Sequence, residues 1–206
     1  MIKKQIIEIG KRLYDRHLTI GTSGNISVKA DDGIYITASG TCLSNLKEEE
    51  IILIDFNGNE INGGKASSEK MLHAEIYKLR PDVKAIIHTH PEYLTSFAVC
   101  HKKLDEPIMS ENILYFEDIP VAEYAMPSSK ELVLNTVKYV KDRDVVMMAN
   151  HGAIALASDL EHAFVKMETA EYYAKVTINT KIIGNAKLLS SNDIEDLLVL
   201  KKAMGK

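Results

Sequence analysis

Hydrophobic and polar positions along the chain switch between two periods. Ile2, Ile6, Ile7, Ile9, Leu13 and Tyr14 fall on one side of a 3.6-residue helix, so the first segment reads as amphipathic. The period then shortens. Ile26-Ser27-Val28 and Ile34-Tyr35-Ile36-Thr37 are strand-like, and Asp31-Asp32-Gly33 between them is a hairpin turn. A short acidic helix over Glu48–Glu50 precedes the strand Ile51–Asp55, and Asn57-Gly58-Asn59 is a tight turn. Met71, Leu72, Glu75, Ile76 and Leu79 restore helical spacing in a segment that Ser67-Ser68-Glu69 opens. Val83 to Ile87 is an apolar run of buried-strand type, and Pro91 to Val99 begins another helix.

The second half repeats the alternation. Ile119–Ala122 is a strand, and Ser128 caps a helix reaching about Lys141. The strand Val145–Ala149 follows, with Ile154-Ala155-Leu156 as its partner across a turn. A long amphipathic helix runs from Leu160 to about Thr177, and Asn192-Asp193 opens the last one. The expected architecture is one α/β domain over residues 1–206: a central mixed β-sheet flanked by helices.

Composition adds exclusions. The chain has 206 residues, 46% of them hydrophobic, enough for an ample core. A formal net charge of −4 with no basic stripe argues against nucleic acid as a partner. Cys42 and Cys100 do not make a disulfide framework, which points to a reducing compartment. No leader pattern and no apolar stretch near the ~20 residues of a membrane helix is present, so a cytoplasmic protein without a membrane partner is expected.

The candidate chemistry sits at strand ends. His88-Thr89-His90 closes the run Val83–Ile87, and side chains at i and i+2 of a strand project the same way. Two adjacent imidazoles can share a cation, although two polar residues closing a buried strand is the plainer alternative. Asn150-His151-Gly152 puts a third histidine after a second apolar strand. Glu69 is either a first-turn acid facing the helix dipole or a carboxylate that joins the histidines.

Five motifs in order, Thr22-Ser23-Gly24-Asn25-Ile26-Ser27, Ile36-Thr37-Ala38-Ser39-Gly40, Ser67-Ser68-Glu69, His88-Thr89-His90 and Asn150-His151-Gly152, resemble those of the class II aldolase/adducin family, from about Ile6 to Thr177. The resemblance implies a three-layer αβα fold and one zinc or other divalent ion per subunit, held by His88, His90 and His151 with Glu69. It implies a substrate phosphate held by Thr22, Gly24, Asn25, Ser39, Gly40, Ser67 and Ser68. Hydroxyls, turn N–H groups and a helix N-terminus suit a phosphate dianion without a lysine.

Family aldolases carry Glu, and epimerases Asp, where Glu69 stands. The implied activity is therefore cleavage of a phosphorylated ketose, like fuculose 1-phosphate, to dihydroxyacetone phosphate and a short aldehyde. Dehydration of a methylthioribulose-type phosphate is the alternative; 4-epimerisation and a non-catalytic adducin-like module rank lower. Met109 stands where some family aldolases place a catalytic tyrosine, and Ile194 to Lys206 lacks the aromatic residue some contribute from their tail. Glu111 and Tyr115 are then the candidate proton donors, with solvated loop residues as the alternative. A homotetramer is implied too, and the apolar or aromatic surface of Phe164, Tyr172, Tyr173, Tyr115 and Phe116 fits a subunit boundary. Lys70 reads as a surface charge.

Overall fold

Strand alternation decides which helices cover which face of the sheet. The computed structural model describes residues 1–203, so the last three residues of the expected domain lie outside the described residues. Seven strands form one sheet: β1 (Asn25–Ala30), β2 (Gly33–Thr37), β3 (Ile51–Ile54), β4 (Ala85–Thr89), β5 (Val121–Ala122), β6 (Val145–Met148) and β7 (Gly152–Ala157). Their order is β3-β2-β1-β4-β7-β6-β5. All neighbours are antiparallel except β5 and β6, so the sheet is mixed.

Ala85 and Ile87 of β4, with Ala153, Ala155 and Ala157 of β7, face α1 (Ile2–Asp15), α3 (Glu92–Val99) and α6 (Leu160–Ile183). The alanines of β7 meet Ala163, Ala170 and Ala174, and the absence of bulk lets the long helix lie close to the strand. Ile86, Ile154 and Leu156 point the other way, into a second core closed by α2 (Lys70–Leu79) and α5 (Lys130–Val140). Layers on both faces give the expected three-layer αβα arrangement. Two further helices, α4 (Ser110–Tyr115) and α7 (Ser191–Ala203), pack together beside α6. Among the described residues no helix is long and apolar enough to cross a membrane.

Several boundaries move. The segment from Ser67 turns helical only at Lys70, with Glu69 at the N-cap, because Ala66 is drawn into an edge bridge with Ala38, in which Ser67 N–H donates to Thr37 O, and Ser68 and Glu69 lie in the turn that follows. Ser129, not Ser128, caps α5: its side chain accepts the Leu132 N–H, while Ser128 has φ +67°. Only two residues of Ile119–Ala122 pair as β5. The expected loop Glu111–Phe116 is largely the helix α4. Phe164, Tyr173 and Phe116 are buried in the core of the single chain, so they offer no subunit surface; Tyr172 remains exposed.

One seam of the second core is polar. Asn25, Ser27 and Lys29 lie on one side of β1, and Glu69, His73 and Tyr77 recur every four residues along α2. Two strand residues and four helix residues both advance about 6–7 Å, so the two series stay in step. Asn25 Nδ2 donates to Glu69 Oε2 at 3.1 Å, and Ser27 Oγ meets His73 Nδ1 at 2.7 Å and the Tyr77 hydroxyl at 2.8 Å. Lys29 Nζ donates to Tyr77 O at 3.4 Å.

Two outcomes are expected. Ile87 is fully buried in the central strand, so Ile87→Ala should cost about 2–5 kcal/mol in chemical denaturation. Complete burial holds His73 down to about 3 from its ordinary 6.5, with the His88 charge adding to the fall and Glu69 opposing it. Below pH 6.5 the unfolded chain then binds a proton that the folded chain refuses, so this contribution makes stability fall with pH until about pH 3. His73→Gln should flatten that fall between pH 6 and pH 4 by up to one proton's worth, about 1.4 kcal/mol per pH unit. An unchanged slope would show that His73 charges freely in the fold.

Candidate metal centre

Antiparallel pairing gathers the chemistry at one edge of the sheet. β1 begins where β4 ends, with Asn25 directly opposite His88. β2 ends at the same edge, leading to Ser39-Gly40, and the turn between β6 and β7 carries His151. His88, on the same face of the sheet as Ile86, turns toward the head of α2 and Glu69. Gly152 permits His151 to close in, because a Cβ at position 152 would collide with the His90 ring and stand 2.6 Å from Thr89 O. Gly24, at φ +88°, is needed likewise: its Cβ would stand 2.6 Å from His88 O. Asn150 adopts φ +54° just before His151, and its side chain meets His101 Nε2 at 2.7 Å.

The three imidazole centroids lie 4.8–5.0 Å apart, and one nitrogen from each falls within 4.8 Å of the others. His88 Nδ1 lies 2.9 Å from Ala153 O, which only accepts, so Nδ1 carries the proton and Nε2 keeps a lone pair. That Nε2 stands 3.2 Å from His90 Nε2 and 3.1 Å from Glu69 Oε2, while Glu69 Oε1 is 3.6 Å from His151 Nε2. Acceptors are thus aimed at acceptors. A proton on one nitrogen can bridge two of these atoms but cannot serve three imidazoles and a carboxylate, whereas one cation can.

Electrostatics prepares the donors. Burial first, then the neighbouring imidazole charges, hold His90 down to about 3; burial and His88 hold His151 to about 4. Both are therefore neutral at ordinary pH, the form in which an imidazole can bind a metal ion. Burial pushes the Glu69 carboxyl up, but His88, His151, the Asn25 amide and His73 together bring it below the usual carboxylate range. Among the described residues, every buried side-chain polar atom without a partner belongs to this region: Asn25 Oδ1, Glu69 Oε1, His73 Nε2, Thr89 Oγ1, Thr95 Oγ1 and His151 Nδ1. Such orphans are costly unless something binds. The residues fit a divalent ion.

The other expected residues are divided. Thr22, Gly24, Ser39, Gly40, Ser67 and Ser68 belong to segments at this edge, with Thr22, Ser39, Gly40 and Ser68 exposed. Asn25 is buried and its amide is spent on Glu69. The N–H groups of Ser39 and Ser67 donate to Lys65 O and Thr37 O, so neither is available as a phosphate donor. Tyr115 is not brought to the histidines. It lines a cleft with Arg80, Arg143 and Asp144, at the start of β6, while His151 follows the end of that strand. Glu111 is exposed on α4. Lys70 pairs with Glu60 at 2.5 Å and is only partly exposed.

Two supporting residues escaped the sequence reading. Glu171 of α6 accepts the Tyr93 and Leu94 N–H groups, 2.8 Å each, and so caps α3 directly after His90-Pro91. His73 fills the seam behind Glu69, a position flagged only by its four-residue spacing from Glu69 and Tyr77. A 960 Å³ cavity opens beside His90, lined by Tyr14, Ile20, Thr95 and Val99.

Comparison with known proteins fits this geometry. Residues 4–178 match the class II aldolase and adducin N-terminal domain. An L-fuculose phosphate aldolase of Methanocaldococcus jannaschii is 41% identical over 178 residues, covering 86% of this chain and 96% of the relative. A 3-oxo-tetronate 4-phosphate decarboxylase of Haemophilus influenzae is 30% identical, covering 95% of each chain. A solved structure of an L-fuculose 1-phosphate aldolase superposes with a TM-score of 0.90 at 35% identity, covering 99% of this chain and 96% of that one. With the matched domain spanning most of its length and the histidine cluster of its sheet edge in place, the chain belongs to the class II aldolase and adducin family and is similar to its fuculose phosphate aldolases.

Proposed function

We propose that this chain is a zinc-dependent aldolase that cleaves a ketose 1-phosphate, of the fuculose 1-phosphate type, to dihydroxyacetone phosphate and a short aldehyde. The observation that carries the reading is the convergence of His88, His90 and His151 nitrogens with the Glu69 carboxylate at one point. His88, His90 and His151 would hold the ion, with Glu69 beside it; bound there, zinc supplies Lewis acidity to negative charge developing on the substrate oxygens.

The chain's own residues do the rest. Breaking C3–C4 turns the C4 hydroxyl into the aldehyde carbonyl, which releases the hydroxyl proton, and leaves an electron pair on the three-carbon fragment, which must gain a proton at C3. Glu69 is the carboxyl group nearest the histidines and acts there, returning a proton in cleavage and taking it in condensation. Burial keeps water from competing for that proton. The hydroxyls of Thr22, Ser39, Ser67 and Ser68, with the Gly24 and Gly40 turns, would receive the phosphate. Glutamate rather than aspartate at position 69 favours cleavage over epimerisation. The dehydratase alternative drew on Glu111, which faces solvent on α4, so cleavage is the stronger reading. A part for Glu111 or Tyr115 requires a second subunit. Tyr14, Ile20 and Val99, exposed around the cavity beside His90, support an assembly, and a homotetramer is the proposed form.

Elemental analysis should find about one zinc per chain in wild type, and none in His88→Ala. Equal metal in both would remove the ligand assignment. With fuculose 1-phosphate, ribulose 1-phosphate and methylthioribulose 1-phosphate as alternatives in one assay, release of dihydroxyacetone phosphate from either of the first two is expected. Dehydration of the third alone would reverse the choice. Glu69→Gln should lower kcat about 10²–10⁴-fold while phosphate competition stays near wild type. Light scattering at micromolar concentration should give four times the 23.0 kDa chain mass; a fully active monomer would exclude a shared site.

A further inference from the structure

The histidines of the centre are not all held alike. His88 has an anchor of its own, Nδ1 at 2.9 Å from Ala153 O, whereas His151 Nδ1 is buried without a partner. A metal-binding imidazole is ordinarily aimed by a hydrogen bond on its second ring nitrogen. Without one, the direction of the His151 ring depends on its backbone, and so on the left-handed Asn150 that precedes it between β6 and β7.

That turn is docked on the far end of α3. The helix starts directly after His90-Pro91, where Glu171 receives the Tyr93 and Leu94 N–H groups, and it ends at Val99. Ala98 O, in its last turn, accepts two N–H groups: His101 at 3.2 Å, from the exit of the helix, and Asn150 at 3.3 Å, from the turn. Both residues are left-handed, His101 at φ +52° and Asn150 at φ +54°. Glycine takes that conformation most easily. Neither position holds glycine, and the two side chains meet, with His101 Nε2 at 2.7 Å from Asn150 Oδ1. An amide oxygen only accepts, so the imidazole donates. The contact offsets backbone strain that both side chains bring to their positions.

We propose that His101 is a positioning residue: its imidazole clasps the Asn150 amide, holds the turn in its left-handed form and thereby aims His151 at the point shared with His88 and Glu69. Helix α3 is the brace, since it starts beside His90 and ends on the turn that carries His151. The clasp stands on the meeting of the two side chains. Its consequence for metal binding rests on the proposed reading of the histidine centre.

Amide exchange in the metal-free protein reads the clasp by itself. The Asn150 N–H should exchange about three- to tenfold faster in H101G than in wild type, the range for losing one exposed hydrogen bond. Glycine removes the ring while keeping the left-handed conformation easy, so new strain does not enter the comparison. An unchanged Asn150 rate overturns the proposal. Zinc competition against a chromogenic chelator then reads the consequence. H101G and N150G should each bind zinc about three- to tenfold more weakly than wild type, and the double variant no more weakly than N150G, because His101 acts through Asn150. Wild-type zinc affinity in H101G, or a loss in the double variant that sums the two single losses, overturns it. If H101G does not fold, H101N, which tolerates the same conformation and is too short to reach Asn150, takes its place in both measurements. If wild type takes up no zinc, the metal reading falls and the exchange rates still judge the clasp.

Discussion

Hydrogen-bond acceptors crowded at one edge of the sheet are the constraint around which this protein is arranged. His88 Nε2 stands 3.2 Å from His90 Nε2 and 3.1 Å from Glu69 Oε2, with too few protons between them. Left alone, such an arrangement is repulsive, and the fold must hold it together from outside. Ala153 O orients His88, the left-handed Asn150 turn delivers His151, and Gly152 yields space to the His90 ring.

The cost of that arrangement is distributed over the two cores. Interleaved β4 and β7, both buried on either face, give the histidine strand a rigid base. Above it α6 contributes Glu171, a carboxylate that caps α3 where Pro91, lacking an N–H and a polar side chain, cannot. Below it the polar seam of β1 and α2 fixes Glu69. Burial is what makes these contacts specific. A buried polar group that loses its partner is expensive, so the pairings that are made, Glu69 with Asn25 and His73 with Ser27, restrict the orientation of both side chains.

The same geometry separates this centre from the other polar cleft. Arg80, Arg143, Asp118 and Asp144 neutralise one another there, through Arg80–Asp144 at 2.9 Å and Arg143–Asp118 at 2.5 Å. No acceptor in those pairs lacks a proton-bearing partner. The histidine centre is different because its members share a need that none of them can meet.

Periodicity and motif spacing alone determined a good deal. Strands read from Ile26-Ser27-Val28 and Ile34–Thr37 pair as a hairpin, and His88-x-His90 with His151 do share one site, because i and i+2 of a strand must face one way. Those relations are local, or fixed by the pleat. What needed the tertiary structure was everything set by which elements meet. Met71 fits the apolar spacing of α2 yet is 40% exposed, while polar His73 beside it is buried, since β1 happens to offer Ser27 at that height. Phe164 and Tyr173 resemble interface residues until the alanines of β7 bring α6 close enough to bury them. Tyr115 follows the His88–His90 strand in sequence but lies near the opposite end of β6, because the chain runs from the His101–Asn150 contact to the Leu104–Ile119 bridge before it reaches α4. Spacing along a chain reports the face a residue takes within its own element; only packing decides what stands opposite, and therefore which groups become partners.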